Sequence, residues 1–460
     1  MKKLTLIILL ASVFQFSAFS QGVSDLDEFI LEQMDIHHVP GLSACIIIED
    51  SIYWNNNYGY MILEDSVSVH DSTLFSVFSI GKSITTACIM QLWDNQLIGL
   101  DQNINDFIPF QVSNPHNGID SITARMMMTH TSTIDDWNLN YYITLGDPTE
   151  SLGSFMENYL DSTGNYYVTN NYYNEIPGTD FNYDNYGMAM LGYLVEPLTG
   201  LDFNQYAGDS LLSPLDMTHS SWLLDYLNTD NLATGYTYSG GNFTANGHYG
   251  HPAYPGLSLR STALDLANFN IMLLNQGAFN GLNIISEAAI DSMTTVQDPT
   301  WTSSFGPTGL GLFVREDLGD RIVWGHNGGS STLGYAAHLY FCSAENSGVV
   351  ITTNSGQYVP DLVEYLFDYA LSVTTSIPND VPLEKVNLKV YPNPASDRIQ
   401  IAIDYKQSIE EIRIFNQIGQ QVYRQKYSGN NIDISAIQAG IYILEARMEE
   451  GVVRHKFVKK

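Results

Sequence analysis

Phe75-Ser-Val-Phe-Ser79-Ile-Gly-Lys82-Ser-Ile-Thr-Thr86 is the stretch on which the reading of this chain turns. Ile80, Ile84, Ala87, Cys88 and Leu92 recur at helical spacing, which places Ser79 at a helix start. Residues three apart share a helical face, so Lys82 can reach the Ser79 hydroxyl, itself near the positive end of the helix dipole. A serine is a weak nucleophile until a neighbouring base takes its proton. A lysine serves as that base only if burial and nearby donors bring its pKa well below about 10.4. Ser-x-x-Lys is common as a surface pair, but here lysine is nearly absent. Residues 21–384 carry five basic side chains against 42 acidic ones, net −37, and Lys82 is the only lysine among them. The other four are Arg125, Arg260, Arg315 and Arg321.

The whole chain has 460 residues and a formal charge of −31, from 19 Lys+Arg and 50 Asp+Glu. That length allows about two or three domains. A composition 44% hydrophobic and 12% aromatic fills a proper core and excludes disorder. The acidic balance repels phosphate backbones and anionic lipid, so no nucleic-acid partner is expected. Cys45, Cys88 and Cys342 sit in apolar surroundings and read as small buried hydrophobes. There is no Cys/His spacing for zinc, no Gly-rich phosphate loop and no Gly-x-Ser-x-Gly elbow. No cofactor or metal is expected.

The two ends read as addresses. Met1–Ser20 has a Lys2-Lys3 start, an apolar run and a small-x-small Ala18-Phe19-Ser20 site, the pattern of a secretory signal peptide. No later segment is apolar enough to span a bilayer, so no integral membrane segment is expected after leader removal. A linker is predicted at 373–386, where the charge sign changes: residues 385–460 hold 12 basic and 8 acidic side chains. Beyond it, short alternating runs at Leu388–Tyr391, Arg398–Ile403, Ile409–Phe415, Gln421–Tyr427, Gly440–Ala446 and Val452–Val458 predict a small β-sandwich over 387–460. With Val390-Tyr-Pro-Asn-Pro-Ala395 at its start, Gly440-Ile-Tyr442 and the basic end His455–Lys460, this tail resembles the type IX secretion sorting domain. That resemblance implies passage across a bacterial outer membrane by the type IX machinery, to the cell surface or medium. An ordinary β accessory module is the plainer alternative.

Two further elements complete the candidate site. A serine–lysine pair needs a group to relay the proton, and a tyrosine near a helix start suits. Tyr183-Asp184-Asn185 follows the Pro177-Gly178 turn and precedes the helical stretch Tyr186–Leu198. Tyr-x-Asn recurs elsewhere in a chain with 29 tyrosines, so context selects Tyr183. Trp324-Gly-His326-Asn-Gly328-Gly329 is expected to end a strand Arg321–Trp324. A glycine pair there admits a substrate backbone and offers N–H groups to an oxyanion.

In this order, the three elements resemble the serine β-lactamase-like family, which holds class C β-lactamases, D-alanyl-D-alanine carboxypeptidases, D-aminopeptidases and related esterases. Supporting stretches include Val39–Ile48, Ile122–Ser132, Ser213–Thr218 and Gly256–Thr262, and the likeness spans about Val23 to Leu371. It implies a hydrolase domain over 21–372 with an α/β (α+β) fold. The sheet is mainly antiparallel and flanked by helices, with an inserted helical subdomain. By the same resemblance Ser79 is the acylated nucleophile, Lys82 its base partner and Tyr183 the relaying acid/base. Asn185 would hold the substrate carbonyl or the lysine, and Ser79 and Gly329 would offer oxyanion N–H groups beside Gly328. His326 takes the place of a lysine.

Three departures from the family pattern stand out: His326 for that lysine, Thr133 for the glycine after His-Thr-Ser, and Asp184 inside Tyr-x-Asn. Histidine is mostly neutral at pH 7, whereas a lysine would pair permanently with a substrate carboxylate. Neutral esters, amides or amine-bearing D-peptides are therefore expected ahead of β-lactams or a D-alanyl-D-alanine C-terminus. A non-catalytic penicillin-recognising or surface-binding relic is the remaining alternative. Gly208-Asp-Ser-Leu211 spells the signature of another esterase family but lies mid-chain among helical residues.

Overall fold

The computed structural model describes residues 17–119, 121–301, 303, 305–319, 321–376, 388–403, 409, 411–416, 421–427, 431–448 and 451–460. The chain divides into two compact units, Met1–Ala370 and Leu371–Lys460. The elements used below are, in chain order, α1 (Ser17–Ile36), β1 (Gly41–Ile48), β2 (Ser51–Ile62), β3 (Val67–Ser68) and α2 (Ile80–Asp94). After these come α3 (Tyr186–Tyr193), α4 (Ala263–Leu274), β4 (Phe313–Arg315) and β5 (Val323–Ser330). The closing elements are β6 (Tyr335–Cys342), β7 (Ser347–Thr353) and α5 (Pro360–Ser376).

One seven-stranded sheet runs in the order β4-β5-β6-β7-β1-β2-β3, and every neighbouring pair is antiparallel. Its central strands are buried on both faces, which is why they read as unbroken apolar runs such as Ala44-Cys-Ile-Ile47 rather than as alternation. Ala44 and Ile46 pack with Leu26 and Ile30 of α1 and with Leu362, Leu366 and Phe367 of α5. Cys45 and Ile47 face the other way, into the core shared with Ile84 and Cys88 of α2 and Leu266 and Phe269 of α4. Closing both ends of the domain on one face ties its termini together through side-chain burial. All three cysteines are buried and free.

The stretch between α2 and α4 forms the inserted region, and helices recur along it. Helices cover Ala124–Met128, Leu152–Leu160, Tyr186–Tyr193, Val195–Thr199 and Phe203–Ala207, Gly208–Leu212 is a π-helical turn, and Gly235–Ser239 and Asn242–Asn246 pair as a hairpin. The Gly240-Gly241 turn, both residues at positive φ, permits that hairpin.

Two predicted boundaries fall at helices. The predicted linker 373–386 begins inside α5, which carries on to Ser376; its remaining residues lie outside the described ones. Val373-Thr-Thr-Ser376 has the composition of a linker, but it extends a helix already anchored by Leu366, Phe367 and Ala370. The predicted leader lies outside the described residues except 17–20, which open α1.

The second unit is built from two small sheets. Leu388–Tyr391, Arg398–Ile403 and Asn431–Asp433 form one; Gln421–Lys426, Glu411–Asn416, Gly440–Met448 and Gly451–Lys459 form the other, in those orders. Val390, Ile399, Ile401, Ile412, Ile414, Leu444 and Phe457 fill its core. The short strand Asn431–Asp433 escaped the sequence reading because three residues carry too little alternation. Among the described residues, no helix is long and apolar enough to cross a membrane.

Candidate active site

Ser79 stands immediately before α2, with φ −67° and ψ −13°, and Phe78 before it adopts φ +46°. A bulky residue in the left-handed region is strained, and surrounding structure must hold it there. Phe78 stacks on Tyr249 at 5.0 Å, and the Arg260 guanidinium lies over the other ring at 4.7 Å. Arg260 is itself buried and donates to the carbonyls of Trp222, Ser258 and Tyr249. This stack holds the turn that presents the serine.

Lys82 is fully buried. Its Nζ lies 3.0 Å from Ser79 Oγ, 2.6 Å from Asn185 Oδ1 and 2.7 Å from the Gly256 carbonyl oxygen. The last two atoms can only accept, so a neutral amine spends both its hydrogens on them and turns its lone pair to the serine hydroxyl. Burial pushes the Lys82 pKa down to about 7, against the opposing pull of the Asp136 and Asp184 carboxylates. An amine with a pKa near 7 carries a substantial neutral fraction at physiological pH.

The Asn185 amide is oriented from behind. Asp136 accepts hydrogen bonds from Asn185 Nδ2 at 2.5 Å, Asn185 N at 2.8 Å and Tyr186 N at 2.9 Å, capping the start of α3. Burial and the nearby Asp184 charge raise the Asp136 pKa, and these donors restrain the rise. Beside it Asp184 is fully buried. Its Oδ1 caps Gly187 N, and its Oδ2 lies 3.5 Å from His130 Nδ1. Neither Asp136 nor the Gly256 carbonyl was singled out by sequence. Asp136 lies 49 residues from Asn185, and a carbonyl has no side-chain signature.

Tyr183 is half-buried, hydrogen-bonded to Ser79, with its ring centroid 5.0 Å from Lys82 Nζ. Burial raises its phenol well above the ordinary value, so it stays protonated.

The Gly-His-Asn-Gly-Gly stretch does not end a strand: β5 runs straight through it to Ser330. Gly328 and Gly329 pair with Ala337 and Ala336 of β6. A Cβ on Gly328 would lie 2.0 Å from the Val77 carbonyl oxygen and 2.9 Å from Ser79 N. Gly328 therefore lets β5 press against the serine-bearing turn, and Gly329 stands next along the same strand. His326 is buried, with Nδ1 hydrogen-bonded to the Asn327 carbonyl. That bond places the proton on Nδ1 and leaves Nε2 an acceptor. Burial takes the His326 pKa down to about 3, so the imidazole is neutral.

Thr133 occupies the departed glycine position at φ +68°, the conformation a glycine supplies without cost. Its hydroxyl accepts from Asn114 Nδ2 at 2.8 Å and its carbonyl from Tyr173 N at 2.8 Å, which hold it there.

All the predicted residues Ser79, Lys82, Tyr183, Asn185, His326, Gly328 and Gly329 thus belong to one neighbourhood. The beta-lactamase family model matches residues 26–371. This chain belongs to the beta-lactamase family. The secretion system C-terminal sorting domain model matches residues 389–460. Among curated relatives of this beta-lactamase-family chain, Protein flp of Staphylococcus aureus (strain MW2) is 22% identical over 349 residues, 74% of this chain and 65% of its own length. Beta-lactamase-like protein 2 of Dictyostelium discoideum is 24% identical, over 56% of this chain and 46% of its own. The chain thus spans less than two thirds of these relatives. Among solved structures, the octameric penicillin-binding protein homologue from Pyrococcus abyssi shares the fold at TM-score 0.60 and 20% identity, covering 95% of this chain and 96% of that one. The D-alanine carboxypeptidase AmpC from Burkholderia cenocepacia does so at TM-score 0.58 and 19% identity, covering 78% and 99%.

Proposed function

We propose that the protein is an exported serine hydrolase that cleaves neutral esters, amides or D-amino-acid peptides through an acyl-enzyme on Ser79. The observation that carries this reading is Lys82 Nζ, buried and flanked by two obligate acceptors, with the serine hydroxyl 3.0 Å away. The serine O–H bond breaks as its proton passes to Lys82, and Oγ forms the new bond to the substrate carbonyl carbon. Backbone N–H groups of Ser79 and Gly329 steady the oxyanion. As the bond to the leaving atom breaks, Tyr183 gives that atom its proton, and the phenolate regains one from the Lys82 ammonium. Water then repeats the sequence on the acyl-enzyme and restores the serine. Since burial keeps the phenol protonated, Lys82 is the base and Tyr183 the acid.

Charge supports a neutral substrate. Arg125 pairs with Asp101, Arg315 with Asp317, and Arg321 with Glu345 and Asp368; Arg260 serves carbonyls, and Lys82 faces the serine. His326 adds no cation. None of the five basic groups of residues 21–384 is left over for a substrate carboxylate. D-alanyl-D-alanine carboxypeptidase or β-lactamase activity is the second choice for that reason. A non-catalytic binding protein ranks last, because the serine, amine and phenol are all present and in contact. The tail supports export by a type IX system to the surface or medium, with no nucleic-acid partner. Comparing a short p-nitrophenyl ester with a chromogenic cephalosporin tests the substrate class: the ester should win, and a faster cephalosporin would reverse the assignment.

A further inference from the structure

Beside the proposed catalytic groups lies a cleft of about 520 Å³ lined in part by Phe305, Phe313, Tyr340, Tyr358, His326 and Asn327. Its position follows from a short edge strand. β4 pairs with β5 from Arg315↔Val323 only as far as Phe313↔Gly325. Past Gly325, among the described residues, no strand covers the outer edge of β5.

The cleft shares a wall with the proposed acid. Phe305 packs on the Tyr183 ring at 4.8 Å and on Phe313 at 5.3 Å, and His326 sits 5.1 Å from Phe313 and 6.3 Å from Tyr183. Ser79 does not line it. A general acid must reach the atom that departs, so the expelled group has to lie on the Tyr183 side and the acyl group away from it. The chemistry of the walls then limits what fits. Four aromatic rings stand among polar side chains there, and aromatic faces favour flat apolar groups. The one basic side chain, Arg315, is clamped by Asp317 at 2.6 and 3.0 Å and lies over the Tyr340 ring at 5.3 Å, with Glu316 beside it. Both histidines, His326 and His338, are buried.

We infer that this cleft is the leaving-group subsite and that it selects an aromatic alcohol or amine portion that carries no carboxylate. The inference rests on the serine-hydrolase reading above and adds to it which half of the substrate is recognised, and by what.

Acetate esters of benzyl alcohol, ethanol and 4-carboxybenzyl alcohol test it on the full chain, since they share one acyl group and leaving groups of similar acidity. The benzyl ester should exceed the ethyl ester in kcat/KM by about tenfold or more, and the 4-carboxybenzyl ester should fall back towards the ethyl value. Phe305→Ala and Tyr358→Ala remove side chains 37% and 40% exposed, so folding is not at stake. Each should bring the benzyl-to-ethyl ratio towards one. Asp317→Asn, which frees Arg315, should raise the 4-carboxybenzyl ester relative to benzyl. A wild-type ratio near one, or a ratio indifferent to both alanine variants, overturns the subsite while phosphonate labelling of Ser79 leaves the hydrolase reading standing. Absence of labelling in wild type overturns both.

Discussion

Asp136 holds Asn185 by its backbone N–H and by its side-chain amide, at 2.8 and 2.5 Å, and so decides which end of that amide faces Lys82. With Nδ2 committed to the carboxylate, only Oδ1 is left to accept from the lysine. The chain from Asp136 through Asn185 and Lys82 to Ser79 is thus a sequence of forced choices. An amide at position 136 would bring its own N–H groups towards donors. Asp136→Asn should lower kcat about 100-fold by misplacing the base, with KM changed far less. Steady-state kinetics on one ester measures the split, and an unchanged kcat would show that Asn185 is oriented by something else.

The pH profile should carry the signature of the buried amine. Lys82 is a base only when unprotonated, so kcat/KM should rise with pH through a limb near 7. The Asp184 carboxylate raises the Lys82 pKa, so Asp184→Asn should move that limb to lower pH. A shift to higher pH, or none, would contradict the assigned electrostatics.

Gly328→Ala should abolish most activity and cost about 1–3 kcal/mol of stability. The added methyl meets backbone, at Val77 O and Ser79 N, and backbone cannot turn aside as a side chain can. Denaturant unfolding and ester turnover on the same preparation check both effects.

Thr133 offers a test of strain against hydrogen bonding. Its left-handed φ costs on the order of 1–3 kcal/mol and its Asn114 bond returns about 1. Thr133→Gly should be close to neutral, whereas Thr133→Ala keeps the strain and loses the bond. Alanine should unfold at lower denaturant than glycine.

How much of this was legible beforehand depends on where the information resides. Helical periodicity after Ser79 and the scarcity of lysine located the serine–amine pair, because both are properties of contiguous sequence and composition. The central strands and the β-rich tail were readable from apolar runs and alternation. Strand β5 runs on past the expected end at Trp324, because pairing with β6 continues to Ser330 while close contact with the Ser79 turn calls for glycine within the strand. Asp136, the Gly256 carbonyl and the Phe305–Tyr183 wall were out of reach, because each acts across dozens of residues or through a main-chain atom.

The most direct measurement is intact-mass analysis after exposure to a fluorophosphonate, on wild type, Ser79→Ala and Lys82→Ala, each with its fold checked by circular dichroism. One adduct should form on Ser79 in wild type, none in Ser79→Ala, and only a trace in a folded Lys82→Ala. Labelling of Lys82→Ala at the wild-type rate would contradict the claim that this amine activates the serine.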